Sequence, residues 1–253
     1  MSPCHDVVVG HSSYFLGIHG SNLSYDVFVG IFSSNGRLGN FHGTGSVIRD
    51  STRIVGAHDG HSLVERDWSF VEEDATNSYE QRADKARRII AAADVETSSR
   101  VLAAFPTASF VDRLVESAPC EHMVAIHESL FVLAMIKEGH DRVRCWQGGI
   151  DVIPEKFYPF DSVFVCYFPG MGVTIETLLA SLAGKCSPGL VVLSFDQGRE
   201  VVEQKHKQQF PDLVTNNLPD RISLEQTARE HLFQIIEFVD ETTFYLAVLE
   251  FHH

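Results

Sequence analysis

Strand-like and helix-like segments alternate regularly along residues 75–251, and this alternation constrains the fold more than any other feature of the sequence. Each apolar run of strand length is followed by a segment with helical periodicity. The predicted strands are 100–105, 123–128, 143–147, 161–168, 190–195, 233–239 and 243–251. The predicted helices are 76–93, 107–117, 130–138, 174–183, 199–209 and 223–231.

The last two predicted strands are joined only by Asp240-Glu241-Thr242. So short a connection permits only an antiparallel hairpin. Five strand–helix units that end in such a hairpin predict an open Rossmann-like α/β sheet, with any ligand crevice at the carboxyl ends of the early strands. Thr107 and Ser129 are predicted N-caps, and Ser223 with Gln226 forms the pattern of a capping box.

The first part of the chain has a different composition. Residues 1–60 hold 10 of the 18 glycines and only 4 acidic side chains, and runs such as 25–32 favour strands. We therefore divide the chain into a Gly/Ser-rich, β-rich or irregular N-terminal extension or lid, residues 1–70, and an α/β domain, residues 75–253. His42, His58 and His61 are interpreted as loop histidines, so no metal site is predicted.

Charge and apolar content limit the partners. The formal charge of −14 argues against nucleic acid and against anionic membrane surfaces. The longest apolar runs fall short of the ~18–20 residues that cross a bilayer. Five cysteines without a Cys-x-x-Cys pair, and an N-terminus unlike a signal peptide, indicate a soluble intracellular protein. The cytoplasm and an organelle such as the plastid both stay open.

Several segments carry a resemblance to a known family. The helix at 79–93, the run Ser99–Leu102 and a strand ending at 127–128 resemble the opening of class I S-adenosylmethionine-dependent methyltransferases, nearest the ubiquinone/menaquinone-biosynthesis or type 11 group. Leu178–Leu182 leading to Ser187-Pro188-Gly189 is similar to a later part of that family. The resemblance covers residues 75–251. It implies a seven-stranded sheet with a terminal hairpin and S-adenosylmethionine as cofactor.

The resemblance also aligns the cofactor loop of the family with this chain. In the family the first strand runs into a glycine-rich loop, whose backbone closely approaches the cofactor. The aligned stretch here, residues 103–109, contains no glycine and includes Pro106. The positions that would contact the cofactor are Ala104, Phe105 and Thr107.

Further cofactor positions follow the next three strands. Where the family has an acid that binds the ribose hydroxyls, this chain has His127, with Glu128 next to it. Where the family has an adenine-binding Asp, this chain has Gly149, followed by Ile150 and Asp151. Tyr167 occupies the substrate-facing position after the fourth strand, and no catalytic base is predicted.

Three cofactor determinants therefore depart from the family together, which leaves two main hypotheses. The first is a methyltransferase-fold protein with a degenerate cofactor site that acts by binding a small molecule or a protein partner. The second is an active S-adenosylmethionine-dependent methyltransferase with an atypical loop and a small-molecule substrate. A nicotinamide-dependent oxidoreductase is disfavoured because no Gly-x-Gly-x-x-Gly follows the first strand.

Overall fold

The structure is a computed structural model that describes residues 5–9, 12–21, 24–32, 53–54, 63–73, 77–118, 120 and 122–252, with side chains from residue 65 onward. The strands are β1 (His5–Val9), β2 (Ser12–Ser21), β3 (Ser24–Phe32), β4 (Arg53–Ile54), β5 (Leu63–Val64), β6 (Arg100–Ala104), β7 (His122–His127), β8 (Arg144–Gln147), β9 (Phe160–Val165), β10 (Cys186–Phe195), β11 (Phe233–Glu241) and β12 (Phe244–Phe251). The helices are α1 (Tyr79–Ala91), α2 (Ala108–Ser117), α3 (Leu130–Gly139), α4 (Ile175–Ala183), α5 (Arg199–Val201), α6 (Lys207–Gln209) and α7 (Arg221–Glu230), with a π-helical stretch, Val202–His206, between α5 and α6.

One sheet runs through the molecule in the order β11-β12-β10-β9-β6-β7-β8-β1-β2-β3. Strands β8, β7, β6, β9 and β10 are parallel to one another. β12 is antiparallel to β10 and to β11. These seven strands form the mixed Rossmann-like sheet with a terminal antiparallel hairpin that the sequence predicts. The prediction of the fold class is therefore confirmed.

Both faces of the central strands are buried, and this explains their continuous apolar character. Along β6, Val101 and Ala103 pack in one hydrophobic cluster, whereas Leu102 and Ala104 pack in the other. All four side chains are fully buried. Strands covered on both sides by helices are expected to read as unbroken apolar runs.

Helix starts follow the predicted caps with one exception. Thr107 and Ser129 cap α2 and α3, since each hydroxyl accepts a hydrogen bond from the backbone N–H three residues later. The capping box predicted at Ser223 is wrong. Helix α7 begins at Arg221, and the carboxylate of Asp220 accepts the N–H of Ser223 at 2.9 Å. Asp220 is in an extended conformation, and an ionised carboxylate is a stronger acceptor than a hydroxyl, so the helix starts one turn earlier.

The N-terminal strands extend the sheet beyond β8. β1 lies parallel to β8, and β2 and β3 follow as antiparallel neighbours. The strand predicted at 25–32 is confirmed as part of β3. His42, His58 and His61 lie outside the described residues, so the interpretation of these histidines stays a prediction. Within the described residues, no helix has the length and apolar content to cross a membrane.

Candidate functional site

The carboxyl ends of four neighbouring parallel strands carry ring side chains. His127 ends β7, Phe105 follows β6, Tyr167 follows β9 and Phe195 ends β10. All four residues are buried. This edge of the sheet is where an open α/β fold places its ligand crevice, and we use the word crevice for it below.

Phe105 has an unusual backbone. Its φ is +53°, in the left-handed region that favours glycine. Its N–H donates to the carbonyl of Ile126 at 2.8 Å, which holds the turn beside β7. The ring is only 1% exposed and its centroid lies 4.8 Å from that of His127. A bulky residue therefore adopts a glycine-type conformation, and its ring is buried in the crevice.

His127 is buried and neutral. Burial lowers the pKa of its imidazole to about 3. Its Nδ1 accepts the backbone N–H of Ser129 at 2.9 Å, so the proton of the neutral ring is on Nε2. The indole of Trp68 meets the imidazole edge-on at 5.1 Å. An aromatic contact therefore covers His127, a residue that the sequence predicts at the cofactor site.

The segment Glu65–Glu72, which we call the strap, crosses the crevice. Its Trp68 ring packs 5.7 Å from Phe105, and its Phe70 ring stacks on Phe210 at 4.0 Å. Gly170 makes room for the indole, because a Cβ there would come within 2.5 Å of Trp68 Cζ3. The strap and the body together form one aromatic cluster, which consists of Trp68, Phe70, Phe105, His127, Tyr167, Phe195, His206 and Phe210.

Two carboxylates of the strap bind the N-termini of helices. Glu65 accepts hydrogen bonds from the hydroxyl of Ser129 and from the backbone N–H of Leu130 at the start of α3, the latter at 3.2 Å. Glu72 accepts the hydroxyl of Ser109 in the first turn of α2 at 2.9 Å. Helix N-termini favour negative charge. Burial nevertheless raises the pKa of Glu65, and the hydrogen bonds that it accepts from Ser129, Leu130 and Phe131 oppose that rise.

Tyr167 and His206 form a buried polar pair beneath Phe70. The Tyr167 hydroxyl and His206 Nδ1 are 2.9 Å apart. Burial lowers the pKa of His206 to about 4 and raises the pKa of Tyr167, so both side chains are neutral. The π-helical stretch that ends at His206 turns this imidazole into the core, where it is 0% exposed. π-Helical turns are rare and frequently occur at functional sites.

The remaining predicted positions lie toward the rim or in the scaffold. Glu128 is exposed and pairs with Arg66 of the strap at 3.9 Å; partial burial raises its pKa and Arg66 opposes the rise. Asp151 is exposed, and its Oδ1 would lie 2.8 Å from a Cβ at Gly149. Ile150 is fully buried in the core. The last two predicted positions, Ala104 and Thr107, are a fully buried strand end and a helix cap.

The structure thus brings only part of the predicted set together. Phe105 and His127 touch each other. Tyr167 is connected to them through Phe70 and Trp68. The strap and His206 were not among the predicted site residues. The run Trp68-Ser69-Phe70-Val71 was a usable signal, because three large apolar residues between acidic neighbours indicate a buried segment.

The chemistry available at the crevice is limited by these neutral, packed groups. A neutral imidazole hydrogen-bonded to a phenol can exchange a proton, but both groups lie under the Phe70 ring. Among the described residues, no group of three or more His, Cys, Asp or Glu side chains is placed to hold a metal ion. The aromatic cluster is therefore packed and largely buried, and two exposed carboxylates, Glu128 and Asp151, lie just after β7 and β8.

Comparison with solved structures identifies the fold. A chain from the complex between the Haloferax volcanii Trm112 methyltransferase activator and its methyltransferase matches with a TM-score of 0.58 and 11% identity, over 69% of this chain and 92% of that one. Magnesium protoporphyrin IX methyltransferase of Synechocystis PCC 6803, solved with S-adenosylhomocysteine, matches with a TM-score of 0.51 and 9% identity, over 73% and 92%. The [4+2]-cyclase SpnF matches with a TM-score of 0.51 and 14% identity, over 66% and 63%.

The chain therefore has the fold of class I S-adenosylmethionine-dependent methyltransferases, as the sequence predicts. Identities this low show the fold alone, and the three neighbours differ in activity, so no subgroup such as type 11 is singled out. No family model matches the sequence, and no curated protein matches it either. Function has to be argued from the crevice itself.

Proposed function

We propose that this chain is a methyltransferase-fold protein whose cofactor site is degenerate, and that it acts by binding a small molecule or a protein partner. The observation that carries the proposal is the packing of Trp68 and Phe105 against His127 at the ends of β6 and β7. In the related fold, S-adenosylmethionine lies along these strand ends. Two buried rings lie at these strand ends, so a ribose there would have to displace them.

The polar groups at the same place support the proposal. A neutral His127 that already accepts one hydrogen bond cannot accept both hydroxyls of a ribose, as a carboxylate does. Pro106 supplies no N–H to the loop. Methyl transfer depends largely on positioning the cofactor, so a poor cofactor site weakens it more than the loss of a base does.

A protein partner is compatible with the comparisons. The Haloferax volcanii neighbour is a component of a complex with a methyltransferase activator. A fold of this kind can therefore present a surface to another protein.

The second candidate, an active S-adenosylmethionine-dependent methyltransferase, is favoured by one observation. Glu128 and Asp151 follow β7 and β8 with exposed carboxylates. A cofactor bound at the rim would find acceptors there for its hydroxyl and amino groups.

Thermal-shift measurements with S-adenosylmethionine and S-adenosylhomocysteine separate the two candidates. A ligand at 100 times its dissociation constant stabilises a protein by about 2.7 kcal/mol, which is roughly 5–10 °C in Tm for a domain of this size. We expect no shift at millimolar ligand. The control is Glu138→Ala, which removes an exposed carboxylate at the end of α3. A shift of that size that is lost in Glu128→Ala but kept in the control would contradict the degenerate site and favour the active enzyme.

A further inference from the structure

In the described part of the chain, each hydrogen bond or ion pair between the body and the strap, Glu65–Glu72, involves a side chain. Among the described residues, its backbone-to-backbone hydrogen bonds are local: Val71 N–H to the Trp68 carbonyl at 3.1 Å and Glu72 N–H to the Ser69 carbonyl at 3.0 Å. The strands around it are bonded backbone to backbone along their length. The sheet therefore does not depend on the strap for its hydrogen-bond ladder.

Polar contacts between described residues hold the strap near its two ends. Glu65 is bound at the start of α3 and Glu72 at the start of α2. Gln197 Nε2 donates to the Val71 carbonyl at 2.9 Å, and Arg82 Nη1 donates to the Glu72 carbonyl at 3.0 Å. Each of these groups can bind water instead when the strap leaves. Opening of the strap therefore leaves no backbone N–H of these contacts buried and unpaired.

The Trp68 and Phe70 rings hold the middle of the strap, and one hydrogen-bond donor there lacks an acceptor among the described residues. The indole Nε1 of Trp68 is buried, and none of the described residues accepts its hydrogen bond. An unpaired buried donor disfavours the closed form relative to an open form in which water binds it. Apolar packing therefore stabilises the closed strap, while the unpaired Trp68 N–H destabilises it. Such opposing contributions are expected of a segment that opens before the protein unfolds.

We propose that Glu65–Glu72 is a displaceable strap, an occupant of the crevice supplied by the chain itself, which opens as a unit while the sheet stays folded. A small molecule that enters the crevice binds in exchange for Trp68 and Phe70. Opening uncovers the Tyr167–His206 pair and the helix N-termini that Glu65 and Glu72 now occupy. This inference concerns the strap alone and holds whether or not S-adenosylmethionine is a ligand.

The two tryptophans of the chain, Trp68 and Trp146, allow a direct test. In the Trp146→Phe protein the emission reports only the strap, and in the Trp68→Phe protein it reports only β8. Each protein is unfolded in urea and followed by tryptophan emission and by far-UV circular dichroism on the same sample. The comparison is made within one protein, so any stability lost through the substitution itself affects both signals alike.

We expect the Trp68 emission to change at a urea midpoint lower than the dichroism midpoint by about 1 M, as partial opening requires. The Trp146 emission should follow the dichroism. In the Trp146→Phe background, Glu65→Gln with Glu72→Gln should lower the Trp68 midpoint further and leave the dichroism midpoint unchanged. Glu73→Gln, an exposed neighbour, is the matched control and should change neither.

Coincident midpoints in the Trp146→Phe protein would overturn the inference, because the strap would then be part of the cooperative core. The same conclusion follows if Glu65→Gln with Glu72→Gln lowers both midpoints equally. No ligand is present in this experiment. Its failure is therefore distinct from a failure of the proposed function, which the thermal shift with S-adenosylmethionine decides.

Discussion

Phe105 offers the sharpest test of the physical reasoning, because its side chain and its backbone act in opposite directions. The ring is buried between Trp68 and His127, which stabilises the fold. The backbone at φ +53° is a conformation that costs an L-residue with a Cβ free energy and costs glycine none. Replacing Phe105 by alanine removes only the ring, whereas replacing it by glycine removes the ring and the backbone cost together.

The magnitudes follow from the two contributions. Truncating a buried phenylalanine to alanine costs about 3–5 kcal/mol. Glycine then regains about 1–2 kcal/mol of left-handed backbone energy, and loses about 0.4–1 kcal/mol through the greater freedom of the unfolded chain. At the middle of these ranges, Phe105→Gly should be more stable than Phe105→Ala by about 0.8 kcal/mol, or about 2–3 °C in Tm. In ordinary strand or helix positions the order is the reverse.

Urea unfolding followed by far-UV circular dichroism measures the difference, with Phe195 as the control position. Phe195 is equally buried at the end of β10, and its φ is not positive. Phe195→Ala should be more stable than Phe195→Gly. If alanine is also the more stable replacement at Phe105, then the left-handed backbone contributes nothing, and the reasoning about the loop is wrong.

Two further predictions concern the neighbours of Phe105. Gly170→Ala should lower the free energy of unfolding by about 1–3 kcal/mol, because its Cβ would come within 2.5 Å of Trp68. In a Trp68→Ala background that loss should be smaller by at least about 1 kcal/mol. Equal losses in both backgrounds would refute the contact. Stability should also fall between pH 6.5 and 5, because the unfolded chain protonates His127 near its usual pKa of 6.5 while the folded pKa is about 3. Over that interval the free energy of unfolding of wild type should fall by about 1.5 kcal/mol more than that of His127→Asn. The control His122→Asn, at an exposed position, should follow wild type. Parallel pH profiles for wild type and His127→Asn would contradict the neutral, buried imidazole.

Most of the α/β body could be predicted from the sequence because its signals are local. Strands such as β6 and β9 are buried on both faces and read as apolar runs, and the hydroxyls at Thr107 and Ser129 mark helix starts. The fourth strand shows the limit of such signals. The apolar run was predicted to continue to residue 168, but β9 ends at Val165, because apolarity persists into the aromatic cluster after the pairing has ended.

The candidate site was less predictable because it depends on contacts between distant parts of the chain. Trp68 meets Phe105, and Phe70 meets Phe210, across separations that no periodicity reveals. The residues aligned with the family positions could be named from the sequence. The aromatic side chains that pack against them could not. Glu65, which binds the start of α3 from 65 residues away, shows the same limit.

The π-helical stretch Val202–His206 has a consequence for how the helix accommodates an extra residue beside the buried polar pair. A π turn holds one more residue than an α turn, and successive residues of an α-helix are rotated by about 100°. Five residues in π geometry therefore turn through about the same angle, roughly 400°, as four residues in α geometry. The extra residue is absorbed within one turn, the helix keeps its phase on either side, and the His206 imidazole stays directed at the Tyr167 hydroxyl.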